Sequence, residues 1–337
     1  HRVDRRQRQM CIRDSNRICS YFKKVKMLKQ IFKNHPKREI SKKRNFSNKA
    51  SPFLQWVGGK RSLIGSYEPY FPKTFKNYWE PFLGGGSVFF HLYDPSVERK
   101  YFLSDLNEEL IITYNMIKDS PKEIIKILNE MNQLHSKEFY YEIRNIDREL
   151  NGKKAQKLFS VSKALQKEEV AARFIYLNRT CFNALWRVNS HGLNNVPMGR
   201  SLKKNIGDNG TIAACSEVLK NVCLRYMPYQ DILSSVEEND FVYLDPPYVP
   251  LSNTSNFSSY TKEGFLKKEQ MELKEFCDAL NLKGAKFMLS NSNCDFVADL
   301  YLNYEQHTFS VARSLNSKGN KRSKKAAGKN EIMIRNY

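Results

Sequence analysis

Asp240-Phe241-Val242-Tyr243-Leu244-Asp245-Pro246-Pro247-Tyr248 is the stretch on which the reading of this chain turns. The apolar run Phe241 to Leu244 has the character of a buried strand of a parallel sheet. It ends in one carboxylate, two prolines and an aromatic. The prolines hold the backbone rigid and leave their carbonyls free of any competing helix. The Asp245 carboxylate and the Pro246 carbonyl can therefore face one amino group together, and Tyr248 supplies a stacking face. Such a pair of acceptors suits an exocyclic amine such as adenine N6, which has two N–H donors and a lone pair delocalised into its ring. Accepting both hydrogens favours a more tetrahedral nitrogen, whose lone pair can attack an electrophilic methyl group. The plain alternative is a strand-ending turn.

Further strand-like runs lie on both sides, at Asn77–Glu80, Lys100–Leu103, Val222–Tyr226, Lys286–Ser290 and Glu331–Arg335. Between Pro52 and Ile117 they alternate with helical patterns, as a parallel sheet with crossovers requires. From Ser120 to Thr180 the chain reads as helix. Ser120, Pro121 and Glu123 form a capping box, followed by Ile124, Ile127, Leu128 and Met131 at helical spacing. Leu158, Val161, Leu165, Val170, Phe174 and Leu177 mark a second helical stretch. Residues 183–210 are rich in Asn, Gly and Lys, and place Ser190-His191-Gly192 as a hairpin turn between Leu185–Val188 and Leu193–Val196, a surface β-ribbon. The expected architecture is α/β: a sheet domain from residues 50–119 and 212–337, a helical and β-hairpin insertion at 120–211, and a basic tail at 1–49. No repeat of 20–50 residues is evident.

Two glycine-rich stretches precede the insertion. Phe53-Leu54-Gln55-Trp56-Val57-Gly58-Gly59-Lys60 is not a P-loop, because Leu54 stands where the first glycine belongs and Arg61 where Ser or Thr belongs. Glu80-Pro81-Phe82-Leu83-Gly84-Gly85-Gly86-Ser87-Val88 follows a strand and opens a helix, the place where backbone approaches a nucleotide-like ligand. Phe89 at the third fingerprint position argues against a dinucleotide pyrophosphate, and a tight structural turn is the alternative. Asp105 ends the next strand 21 positions after Gly84, where a carboxylate can accept from ribose hydroxyls. Asn107 and Glu108 read as helix-start residues.

With 41% apolar residues in a 337-residue chain there is enough for a sizeable core, and no run is long enough for a membrane helix. The seven cysteines are odd in number and scattered without any CxxC, so neither a disulfide framework nor a zinc site is suggested, and they fit a reducing cytosol. The six histidines show no metal-ligand spacing, so no metal is expected. Residues 1–49 hold 17 of the 56 Lys/Arg and 3 of the 35 Asp/Glu, so +14 of the net +21 sits in the tail and +7 in the rest. A polyanionic partner such as nucleic acid suits that excess. The tail begins with His1 and lacks the apolar region of a signal peptide. Its run from Arg5 to Ser15 resembles translated sequencing-adapter sequence; the alternative is a basic arm along phosphates, part of which a start at Met27 would keep. Leu251–Thr261, with Phe257 and Tyr260, reads either as a loop closing over DNA or as a solvated one, and Lys318–Lys325, with five cations, as a phosphate grip or a solvated loop.

Taken in order, these motifs resemble the Dam-type DNA adenine-N6 methyltransferases, which use S-adenosylmethionine, over roughly Pro52 to Tyr337. Phe53–Lys60 is similar to the family's first cofactor motif, Glu80–Val88 to its glycine loop, Asp105 to its ribose-binding acid and Asp245–Tyr248 to its DPPY motif. The segment Asn178–Asn189, followed by Asn195-Val196-Pro197, is similar to its target-recognition segment. The resemblance implies a Rossmann-like methyltransferase sheet, with Asp245, Pro246, Pro247 and Tyr248 catalytic. It implies Trp56, Lys60, Pro81, Phe82, Gly84, Gly86, Ser87, Asp105, Asp231 and Asp245 at the cofactor. Arg179, Phe182, Asn183, Leu185, Arg187, Asn195 and Pro197 would meet double-stranded DNA, with GATC the target, and a restriction endonuclease encoded nearby would be the partner of a protective enzyme. The family more often has glycine where Ala184 stands and lysine where Gln55 stands. Rival readings are a methyltransferase of protein glutamine or RNA, whose relatives usually carry Asn at the Asp245 position, and a DNA-binding protein without catalysis.

Overall fold

The computed structural model describes residues 31–38, 49–56, 58–151, 165–189, 191–202, 206–207, 210–249, 265–310 and 329–337. The tail up to residue 30, Leu158 and Val161, Ser190, the Leu251–Thr261 loop and the Lys318–Lys325 run lie outside them. Among the described residues no helix is long and apolar enough to cross a membrane.

Seven strands form one mixed sheet: β1 (Tyr78–Glu80), β2 (Tyr101–Asp105), β3 (Val222–Tyr226), β4 (Phe241–Leu244), β5 (Lys286–Ser292), β6 (Glu305–Ser310) and β7 (Lys329–Arg335). Their spatial order is β3-β2-β1-β4-β5-β7-β6. The first five run parallel, and β7 pairs antiparallel with both β5 and β6. This is the Rossmann-like methyltransferase sheet expected from the alternation of strands and helices. β4 is buried at every position, as its apolar run requires. Asp240, just before it, is fully buried and accepts from Trp79 Nε1, the Asn77 backbone and side-chain amides, and the Glu237 N–H. Four donors satisfy the buried carboxylate and tie the entry of β4 to β1. Because β1 leads outward to β2 while β4 leads the other way to β5, strand order reverses between β1 and β4. The carboxyl ends of these two strands therefore flank the crevice where open α/β sheets take ligands.

The helices are α1 (Ile64–Tyr67), α2 (Ser87–Leu92), α3 (Glu108–Asp119), α4 (Pro121–Leu134), α5 (Lys137–Asn151), α6 (Lys167–Thr180), α7 (Thr211–Leu219), α8 (Lys267–Leu282) and α9 (Asp295–Leu300). Asn107 caps α3 by accepting from the Leu110 N–H, as expected for a helix-start residue. Ser120 does not form the expected capping box. It also ends α3, with φ −133° and ψ 47°, and its hydroxyl goes to Glu168 instead. Ile124, Ile127, Leu128 and Met131 do form the buried face of α4. α6 is buried nearly all round and includes Arg173, which is fully buried against Glu109 of α3 and Asp147 of α5. One apolar core runs from the sheet helices through α4, α5 and α6.

Candidate active site

Residues 53–56 and 58–60 lie against the glycine loop after β1. The Gly59 N–H closes a turn on the Trp56 carbonyl, and the Asn178 side chain of α6 clamps the Gln55 peptide from both sides, accepting from its N–H at 3.0 Å and donating to its carbonyl at 2.8 Å. Trp56 lies against the glycines so closely that a Cβ at Gly84 would stand 2.6 Å from its Nε1, and φ of +47° at that residue already disfavours a side chain. Gly86, at φ +65°, leads into Ser87 and α2. Pro81 is buried, and Phe82 packs on Tyr229 with ring centroids 5.2 Å apart.

Asp105 comes to this loop from the end of β2. Its carboxylate accepts from the Gly84 N–H at 3.0 Å and the Asn107 N–H at 2.9 Å. Burial pushes it up to about 6, and the backbone N–H donors oppose that rise. Glu80, buried at the end of β1, is pushed up to about 8 by burial although Tyr78 Oη and the Phe89 N–H both donate to it. Asp231 stands apart. It is exposed on the 3-10 helix Tyr229–Ser234, on the wall of a groove of about 440 Å³ that reaches Lys76 and Lys100 before β1 and β2. Among the described residues no side-chain hydrogen bond joins it to those around Asp105; its neighbour Tyr229 makes the contact with Phe82.

Across the crevice, Asp245 leaves β4 with its Oδ1 2.6 Å from the Lys60 ammonium, which is 2% exposed and also donates to the Gly58 carbonyl. Burial raises the Asp245 carboxyl to about 6 and Lys60 works against that rise. Lys60 Nζ lies 4.9 Å from the centre of the Tyr248 ring. Gln270 of α8 donates to the Pro247 carbonyl, and Asn291 and Ser292 of β5 hold the Val249 peptide. The Pro246 carbonyl, in contrast, takes no hydrogen bond from the described residues. The structure thus brings Trp56, Lys60, the glycine loop, Asp105, Asp245 and Tyr248 to one crevice. Gln270, Asn291 and Glu331, which complete it, carry no local signal in the sequence, and Asn178, which belongs to the segment similar to the recognition motif, serves the crevice instead.

The second group of expected residues follows α6. An irregular antiparallel ribbon links Cys181 to Met198 and Val188 to Asn194, and at its end the Gly192 N–H donates to the Asn189 carbonyl. Arg187 Nε donates to Asn195 Oδ1 at 2.8 Å, and Asn183 and Pro197 are exposed. Arg179 is used differently from its neighbours: its guanidinium binds the Phe53, Ile206 and Gly207 carbonyls and braces the first motif against α6. Ala184 adopts φ +53° beside Asn183 at φ +52°. That left-handed conformation explains the preference for glycine here. Ala184→Gly is expected to stabilise the protein by roughly 0.5–1 kcal/mol, because strain relief exceeds the added chain entropy. The denaturant midpoint measures it.

The family described as D12 class N6 adenine-specific DNA methyltransferase matches residues 56–315. Among curated relatives, the type II methyltransferase M1.LlaDCHI of Lactococcus lactis subsp. cremoris is 37% identical over 288 residues, covering 85% of this chain and 95% of the relative. The type II methyltransferase M.MjaIII of Methanocaldococcus jannaschii is 37% identical over 85% of this chain and 99% of its own length. The DNA adenine methylase of Escherichia coli K12 is 33% identical, over 81% and 91% respectively. A crevice assembled from these motifs and a match on this scale lead to one conclusion: the chain belongs to the D12 class of N6 adenine-specific DNA methyltransferases, enzymes that use S-adenosylmethionine.

Proposed function

We propose that this enzyme methylates the adenine of GATC in duplex DNA, with Asp245, Pro246, Pro247 and Tyr248 as the acceptor pocket and residues 120–211 as the target-recognition insertion. The observation that carries the reading is the exit of β4, where the partly buried Asp245 carboxylate and a Pro246 carbonyl with no hydrogen bond from the described residues emerge near Lys60, which also lies over the Tyr248 ring. The residues across the crevice fit S-adenosylmethionine. The bare Gly84 lets the Trp56 indole lie against the loop as one wall of the crevice, and Asp105 keeps acceptor capacity beyond its backbone N–H donors for a ribose diol. When bound, the cofactor supplies an electrophilic methyl group on a sulfonium.

The protein's part is to present the amine. N6 lies inside the base stack, so the adenine must be extruded, at a cost of roughly a few kcal/mol that phosphate and groove contacts offset. Phe182, half-buried at the base of the ribbon, would fill the space it leaves. Tyr248 would stack on the extruded ring. Asp245 and the Pro246 carbonyl would accept the two N6 hydrogens and localise the lone pair for attack. Asn183, Leu185, Arg187, Asn195 and Pro197 would read the flanking bases, while Arg179 would act by bracing the first motif. The two type II relatives favour a protective role, with a cognate restriction endonuclease encoded nearby. Single-molecule sequencing of DNA from cells expressing the protein tests the proposal. N6-methyladenine confined to GATC is expected, and another sequence context would overturn the target.

A further inference from the structure

Lys60 does not serve Asp245 alone. Its ammonium lies 2.6 Å from Asp245 Oδ1 and 3.8 Å from Glu331 Oε1, with all three side chains at least mostly buried. Glu331 reaches this point because it sits on β7 opposite Ser292 of β5. Tyr67 Oη of α1 donates to Glu331 at 2.6 Å and lies 3.2 Å from Ser290 Oγ, which in turn is 3.0 Å from Tyr243 Oη. One cation is therefore shared by two carboxylates, and this cluster of three carries a net negative charge when both acids are ionised. A charge-neutral pair would have needed only Asp245 and Lys60.

We infer that Glu331 is a positioning residue for methyl transfer: by drawing on the Lys60 ammonium it keeps Asp245 a strong acceptor and leaves the pocket negative where charge develops. The inference rests on the reading of Asp245 as the N6 acceptor. As the N6 lone pair forms its bond to carbon, the carbon–sulfur electron pair returns to sulfur. The positive charge then passes to nitrogen until a proton leaves to solvent. A preorganised negative group beside that nitrogen acts mainly in the transition state. The groups facing Asp245 are Lys60, Glu331, Glu80, Tyr67, Tyr243 and Tyr248. Burial raises all three tyrosines, so they stay neutral, and it holds Glu80 up at about 8. Lys60 lowers the Asp245 carboxyl and Glu331 raises it.

The test is Glu331→Gln in the full chain, followed by single-turnover methylation of an adenine duplex as a function of pH. The plateau rate should drop about tenfold, the scale of one preorganised electrostatic contact. The acid limb should also move to lower pH, since Asp245 loses an anionic neighbour and Lys60 turns wholly to it. Calorimetric affinities for DNA and for S-adenosylhomocysteine should stay within about twofold of wild type. Tyr67→Phe keeps the carboxylate but removes its hydroxyl donor, so Glu331 pulls harder on Lys60 and the limb should move the opposite way. A limb that coincides with wild type in both variants overturns the inference, as does a drop explained by lost affinity. If Glu331→Gln does not fold, the Tyr67→Phe limb decides alone. Asp245→Asn at wild-type rate would instead overturn the reading of Asp245 itself.

Discussion

Asp245→Ala is expected to reduce methyl transfer by about a thousandfold or more, the scale of removing a group that acts in the transition state, while DNA affinity stays within a few fold. The reason lies in what the side chain touches. Asp245 meets Lys60 and the open crevice, not a surface on which phosphates would lie. Its loss removes one acceptor for N6 and leaves the ribbon and α6 unchanged. Tyr248→Ala should be similarly severe, because it takes away the stacking face next to Lys60. The wild-type enzyme provides a second check. With the Asp245 carboxyl pushed up to about 6 by burial against the pull of Lys60, protonation below that pH turns an acceptor into a donor. The single-turnover rate should therefore fall as pH drops through this region, approaching about one decade per pH unit. Undiminished methylation by either variant, or a flat profile between pH values well above and well below the Asp245 midpoint, would sink the assignment.

Much of this site was legible because its residues sit at strand ends. Phe241–Leu244 is apolar at every position and could only be an inner strand, so Asp245 had to emerge at its carboxyl end; the same logic placed Asp105 after β2. β6 was missed for the complementary reason. Glu305-Gln306-His307-Thr308-Phe309-Ser310 is a polar edge strand, held by pairing with β7 rather than by burial. Glu331 gave no sign of its position, because a lone acid at the head of an apolar run reads as solvated until Lys60 and Tyr67 arrive from more than 260 residues away. The clamp of Asn178 on Gln55 spans 123 residues and is equally invisible locally. Asp231 is placed differently from the residues around Asp105. An acid soon after a strand has the expected spacing, but a 3-10 helix turns it outward and offers Tyr229 to Phe82 instead. Arg179 shares a segment with the ribbon, yet its position on the last turn of α6 sends it to backbone carbonyls.

Arg187→Ala should relax discrimination at one guanine-bearing position of the target by about 1–3 kcal/mol, the range of one bidentate contact to guanine O6 and N7. The ribbon supports this in a specific way. Arg187 is half-buried and its Nε is held by Asn195 Oδ1 at 2.8 Å, so the guanidinium is anchored by a neutral amide that leaves its charge uncompensated. A surface ion pair, the plain alternative, would need a carboxylate partner, and among the described residues none lies within salt-bridge distance. Orientation through Nε suits a fork that must meet two acceptors at once, because less rotamer freedom is lost on contact. Asn195→Ala should then weaken discrimination at the same position and by a smaller factor, since the fork remains but is no longer held. Cofactor affinity should not change in either variant, because among the described residues no hydrogen bond joins Arg187 or Asn195 to Asp105 or the glycine loop. The measurement is kcat/KM on duplexes that differ by one base pair within and beside the proposed GATC target. Equal losses on matched and mismatched duplexes would assign Arg187 to the phosphate backbone, where a contact weakens binding to all sequences alike and shows itself as a smaller salt slope.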